Sequence, residues 1–161
     1  MRLAAAAALL AAALLAAPAV RAADPPAAAP AQPDYHPSFG DLMTMAVQPR
    51  HIKLGLGGKA RNWAYAAYES SELRNAFARV GRTIPTYRKQ ALPEVFAANV
   101  ATPLDQVDAA IKAKDGKAFD AAYTTLTQAC NVCHQALEHP MVVIREPAGP
   151  FYPDQVFTPP K

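Results

Sequence analysis

Cysteine is almost missing from this chain. Cys130 and Cys133 are the only two in 161 residues, which excludes a disulfide scaffold for a chain of this length and a zinc site built from two cysteine pairs. Charge is scarce and nearly balanced, with 16 basic against 13 acidic residues. So small an excess argues against a nucleic-acid partner. There is no sustained alternation of apolar and polar residues, so no extensive sheet is expected. The glycines form no nucleotide loop, because Gly55-Leu56-Gly57-Gly58 follows a helical pattern and not a strand. No serine, histidine and acid stand in an order that makes a convincing triad, and the acidic residues are scattered over helix surfaces and ends. An enzymatic activity of its own is therefore not expected.

What is present begins with an export signal. Arg2 supplies a positive start, Leu3 to Ala17 form an apolar run of alanine and leucine, and Val20-Arg21-Ala22 offers small residues at the recognition positions. The run is short for a membrane span, so residues 1–22 read as a signal peptide cleaved after Ala22. The expected destination is the periplasm. Losing Arg2 and Arg21 leaves 14 basic against 13 acidic residues. Residues 23–37 carry Pro25, Pro26, Pro30, Pro33 and Pro37 among alanines, the composition of an extended spacer with nothing to pack.

Between Ser38 and His139 about 100 residues remain, enough for one domain with one core. Their apolar positions recur at helical spacing and predict four helices. The first runs from Ser38 towards Gly57-Gly58, where the glycines favour a stop, with Pro49 kinking or splitting it. The second starts at Asn62 as N-cap and carries the stripe Ala66, Ser70, Leu73, Phe77, Val80 and Ile84, with Gly81 and Pro85 at its end. The third covers Pro93 to Lys114, with a break expected near Thr102-Pro103. Asp115-Gly116 supplies a reversal into the fourth, Lys117 to about Glu138, which buries Phe119, Ala122, Tyr123, Leu126, Cys130, Cys133 and Leu137. Short connections between four helices predict an all-α, antiparallel four-helix bundle, residues 38–139. Residues 140–161 form an irregular tail, in which Met141-Val142-Val143-Ile144 is the apolar part.

Near the end of the fourth helix stands Cys130-Asn131-Val132-Cys133-His134. C-x-x-C-H is the attachment signal of a c-type haem: each thiol adds to one vinyl group, and the adjacent imidazole reaches the iron as proximal ligand. C-x-x-C alone also serves as a redox dithiol or as half of a zinc site. A thioredoxin-like motif requires a βαβ pattern that is not visible here, and zinc would have to recruit His139 from the same helix end.

A haem motif at the end of a four-helix pattern resembles the class II c-type cytochromes, the cytochrome c-prime group and its low-spin Met-ligated relatives. In class I cytochromes the motif lies near the N-terminus and a methionine ligand follows far downstream. Here the only later methionine is Met141, beyond Pro140. Arg50-His51-Ile52-Lys53-Leu54-Gly55-Leu56-Gly57-Gly58 also resembles a group of small exported proteobacterial cytochromes. The tail departs from the class II pattern, which usually stops soon after the haem motif; Met141 to Ile144 could lie along the bundle or cover a haem edge.

The resemblance implies one covalent haem c on Cys130 and Cys133, His134 as proximal iron ligand, and a sixth position supplied or left open by the first helix. Met43 and Met45 are the candidates there. Met45 leads, because it shares helical spacing with Leu42, Pro49, Ile52 and Leu56, read as the inward stripe. His51, between Arg50 and Lys53, reads as a surface or hydrogen-bonded residue, and Arg50 as a partner for a haem propionate or for water. A methionine ligand implies a one-electron carrier serving periplasmic redox partners; an open position implies a binder of nitric oxide or carbon monoxide. Arg61, Arg74, Arg79, Arg82 and Arg88 are the expected positive face for an acidic partner. Membrane contact is expected only through an oxidoreductase partner, and a homodimer is compatible with such a bundle.

Overall fold

The chain between Phe39 and Ala136 is helical except at three reversals. A computed structural model describes residues 35–149 and 152–160; the expected signal peptide and residues 23–34 of the spacer lie outside them. The first helical segment comes in three pieces: α1 (Phe39–Leu42), a π turn (Met43–Val47) and α2 (Gln48–Lys59). Three longer helices follow, α3 (Trp63–Thr83), α4 (Leu92–Ala113) and α5 (Gly116–Ala136). A two-stranded hairpin, β1 (Thr86–Tyr87) and β2 (Gln90–Ala91), joins α3 to α4. No described helix is long and apolar enough to cross a membrane.

Local chemistry sets the starts. Ser38 caps α1 by accepting from the Asp41 amide while Asp41 accepts from the Ser38 amide, a reciprocal capping box. Asn62 accepts from the Tyr65 amide at 3.2 Å to begin α3. Asp115 accepts from the Lys117 and Ala118 amides to begin α5.

The ends are less obvious. α2, α4 and α5 each stop in a Schellman pattern, with Asn62 N–H on Gly57 C=O, Asp115 N–H on Ala110 C=O and His139 N–H on His134 C=O. The left-handed residue that pattern requires is Arg61, Lys114 and Glu138 in turn, never glycine. The hairpin repeats the theme, with Arg88 and Lys89 both at positive φ. These residues lack the Asn-Gly or Gly signal by which such turns are recognised in a sequence.

The first helix ends at Lys59, one residue past the stop expected at Gly57-Gly58, but the glycines lie inside it and do not cap it. They provide contact instead: a Cβ on Gly55 would strike the Tyr123 ring, one on Gly57 would lie 2.6 Å from Tyr65, and one on Gly58 would strike the Phe119 ring. The third helix does not break at Pro103, which sits inside α4. Phe96, Val100, Leu104, Val107 and Ile111 form one buried face across the proline, and that burial outweighs a proline penalty of about 3 kcal/mol.

The core is a single apolar cluster. The stripe expected on α3 is buried from Ala66 through Val80, with Ile84 partly buried at the helix end, and α5 contributes Phe119, Tyr123 and Leu126 at 0% exposure. α2 packs on α3, α3 on α4, α4 on α5, and α5 back on α2. Phe119 and Tyr123 stack with ring centroids 5.8 Å apart, directly beneath the glycines of α2.

Gly58→Ala is expected to destabilise the fold by about 1–3 kcal/mol, because its methyl group must displace the enclosed Phe119 ring. Gly40→Ala, whose Cβ would meet only Ser38 Oγ at 3.8 Å, should be neutral or stabilising by about 0.5–1 kcal/mol. Urea unfolding of the two variants beside the parent chain measures both; equal effects would contradict the close-contact role of Gly58.

Candidate functional site

The last turns of α5 present Cys130, Cys133 and His134 to one cleft. Positions three and four apart share a helix face, and the opposite wall is built by Phe39, Met43, Val47 and His51, with Phe77, Val100 and Leu137 at the base and Val142 and Ile144 of the tail at the rim. The cleft holds about 90 Å³. A second hollow of about 410 Å³ adjoins it, sharing Phe39, Met43, Thr44, His134 and Val142 and adding Tyr87 and His139. Apart from His51, Thr44, Gln48 and the motif itself, the first cleft is lined by apolar side chains.

Met45 does not reach it. Met45 is 63% exposed, whereas Met43 lines both hollows, so the preference for Met45 is corrected in favour of Met43. The cause is the π turn, closed by the Gln48 N–H on Met43 C=O. One extra residue in that turn moves everything after it by one position around the helix axis. The inward set therefore runs Leu42, Val47, His51 and Leu54, replacing the expected Leu42, Met45, Pro49, Ile52 and Leu56. Pro49 sits at the start of α2, where its missing N–H is tolerated because the ladder is already shifted.

His51 is a buried group, 3% exposed, so the surface half of its expected reading is overturned and the hydrogen-bonded half holds. Thr127 Oγ1 donates to the Tyr123 carbonyl at 2.9 Å, so its oxygen is free to accept from His51 Nε2–H at 3.0 Å. Tyr123 donates its hydroxyl proton to the His51 carbonyl at 2.7 Å, with Nδ1 3.2 Å away. The two rings stack at 4.9 Å. Burial pushes the imidazole pKa down to about 4, against a smaller upward pull from Glu146. His51 is therefore neutral, and its ring ties α2 to α5 beside the cysteines.

Arg50 does not point to the cleft either. It reaches Glu69, 1% exposed, at 3.2 Å and Glu72 at 3.7 Å, and Glu69 also accepts from Tyr65 at 2.7 Å. An arginine so engaged is not free for a propionate. Arg61 pairs with Asp120, Arg74 with Asp105 and Asp108, and Arg88 with Glu138. Of the expected positive face, Arg79 and Arg82 are exposed and form no ion pair among the described residues.

The thiols are not tuned for nucleophilic work. Burial, helped by neighbouring Cys133, pushes the Cys130 pKa up to about 12, and burial alone raises that of Cys133. A redox dithiol needs a stabilised thiolate, so this environment disfavours that reading. Among the described residues no three His, Cys, Asp or Glu side chains gather as a metal cage, and His139 Nε2 lies 2.9 Å from the Tyr87 hydroxyl. The zinc reading thus has no ligand set among the described residues.

The tail supplies groups that sequence reasoning did not assign. His134 Nδ1 donates to the Val142 carbonyl at 2.6 Å, and Asn131 pairs with both backbone groups of Ile144 at 2.7 and 2.8 Å. The apolar run after Pro140 was the available signal, but no periodicity reveals which carbonyl meets a histidine. No family model matches this chain, and no curated protein or solved structure matches it.

The His51 network generates a pH prediction. Above pH 6.5 the imidazole is neutral in both folded and unfolded chains and contributes nothing to pH dependence. Between pH 6.5 and about 4 the unfolded chain takes up a proton that the folded one refuses, so stability falls with pH, by about 3 kcal/mol in all. His51→Gln should flatten that part of the curve, measured as unfolding free energy from pH 7.5 to 4. A parallel curve for the variant would contradict the assignment.

Proposed function

We propose that this protein is an exported c-type cytochrome of the class II kind, an antiparallel four-helix bundle that carries one electron at a time in the periplasm and is not an enzyme. The observation that carries this reading is the meeting of Cys130, Cys133 and His134 at one apolar cleft, with His134 Nδ1 already engaged by a carbonyl. A carbonyl can only accept, so the proton stays on Nδ1 and Nε2 keeps the lone pair a metal requires. Short connections between the helices, and the packing of α2 on both α3 and α5, support the antiparallel arrangement.

The donor set fits haem c. Cys130 and Cys133 would hold it through two thioethers and His134 would face the iron. When bound, the group supplies an iron that exchanges one electron between ferrous and ferric states. Phe77, Val100 and Leu137 give the cleft an apolar lining, and Met43, which also lines it, is the side chain that would be available for the sixth position. A thioether there suits a carrier, since it blocks outside ligands and favours the reduced state.

A second reading, a five-coordinate binder of nitric oxide or carbon monoxide, is favoured by one observation: Val47 and Phe39 flank Met43 on the same wall, so a small shift of a flexible methionine would leave an apolar sixth position. Redox partners in the periplasm would then have no role. Nucleic acid has none in either reading.

Expression with haem-attachment machinery tests the proposal. The expected product is coloured, heavier by one haem, and keeps its colour through acid-acetone extraction; Cys130→Ala with Cys133→Ala should lose both mass and colour. A colourless chain of unmodified mass would refute it. Met43→Leu then separates the two readings. It should convert a low-spin spectrum to a high-spin one that takes up carbon monoxide, while Met45→Leu changes nothing. A parent protein that is already high-spin and binds carbon monoxide assigns the gas-binding role.

A further inference from the structure

The tail runs back along α5 because Glu138 turns the chain at positive φ. From there Met141 and Val143 face solvent at 75% and 72% exposure, while Val142 and Ile144 line the cleft. Of Met141, Val142 and Val143, Val142 is the least exposed, at 46%.

Two side chains of α5 hold that segment. Asn131 donates from Nδ2 to the Ile144 carbonyl at 2.8 Å and accepts the Ile144 N–H on Oδ1 at 2.7 Å. Three residues on, and so on the same helix face, His134 donates to the Val142 carbonyl. The Val142 and Ile144 carbonyls, two residues apart, thus both face α5. Clasping Ile144 therefore sets the register that brings the Val142 carbonyl to His134. Beyond the clasp, Glu146 is held by Lys59 at 2.9 Å, and Pro147 is buried.

We propose that Met141 to Pro147 is a strap that orients His134, and that Asn131, inside the motif itself, is the positioning residue that clasps it. The inference rests on the cytochrome reading only for its effect on the iron. An imidazole whose second nitrogen gives its proton to a carbonyl is fixed in ring orientation and is a more basic ligand. A more basic ligand stabilises the ferric state, so the strap holds the midpoint potential below the value that an unstrapped His134 would set.

Three measurements on the protein as purified test this. In the parent chain, nitrogen shifts of His134 should report a proton on Nδ1, and the Ile144 amide should exchange slowly. Asn131→Ala should lose the slow exchange and raise the midpoint potential, and truncation after Pro140 should raise it further. A proton on Nε2 in the parent, or an Ile144 amide still protected without Asn131, would overturn the clasp. Loss of protection with an unchanged potential would reduce the strap to packing and overturn its role at His134. A chain that takes up no haem would refute the function proposed above, while the nitrogen shifts and amide exchange would still decide the strap.

Discussion

The close approach of α2 to α5 is the constraint on which the site depends. Gly55 and Gly58 let the α2 backbone rest on the rings of Tyr123 and Phe119, closer than any side chain would permit. That approach brings His51 into the core, where it stacks on Tyr123 and bonds Thr127. With His51 so held, the preceding π turn can only lie over the end of α5 that bears the cysteines. A larger residue at either glycine would separate the two helices and open the cleft along its length.

The π turn then decides which residues face the cysteines. In a regular helix the register set at Leu42 would carry Met45 inward; with a five-residue turn the inward set passes to Val47 and His51. A methionine two positions from the one expected becomes the wall of the cleft. π turns are rare and often mark functional sites, and this one lies where the first helix meets the motif. Pro49, read from the sequence as a kink, follows directly after it at the start of α2.

Charges are used for fastening. Lys59 with Glu146, Arg61 with Asp120, Arg74 with Asp105 and Asp108, and Arg50 with Glu69 each join separate segments. Exposed pairs of this kind contribute little apiece, but with Arg88 and Glu138 they occupy three of the five arginines expected to form a positive face. What charge remains unpaired on α3 among the described residues, at Arg79 and Arg82, is a much smaller surface than the sequence alone implied.

Helical class, most helix starts and the α3 and α5 core stripes were legible in the sequence, because a cap or an apolar period is a local property of a few neighbouring residues. The motif Cys130, Cys133 and His134 was legible for the same reason: its spacing alone puts three groups on one helical face. The register of the first helix was not, since a π turn is chosen by what the helix must pack against and not by its own residues. Nor was the role of the glycines, which depends on rings some 60 residues away, or the continuity of α4 through Pro103, where tertiary burial overrode a local penalty. The pairing of Val142 with His134 belongs to the same group. Only the folded chain, with Glu138 turning it and Asn131 setting its register, determines which carbonyl of an extended tail meets an imidazole one helix turn away.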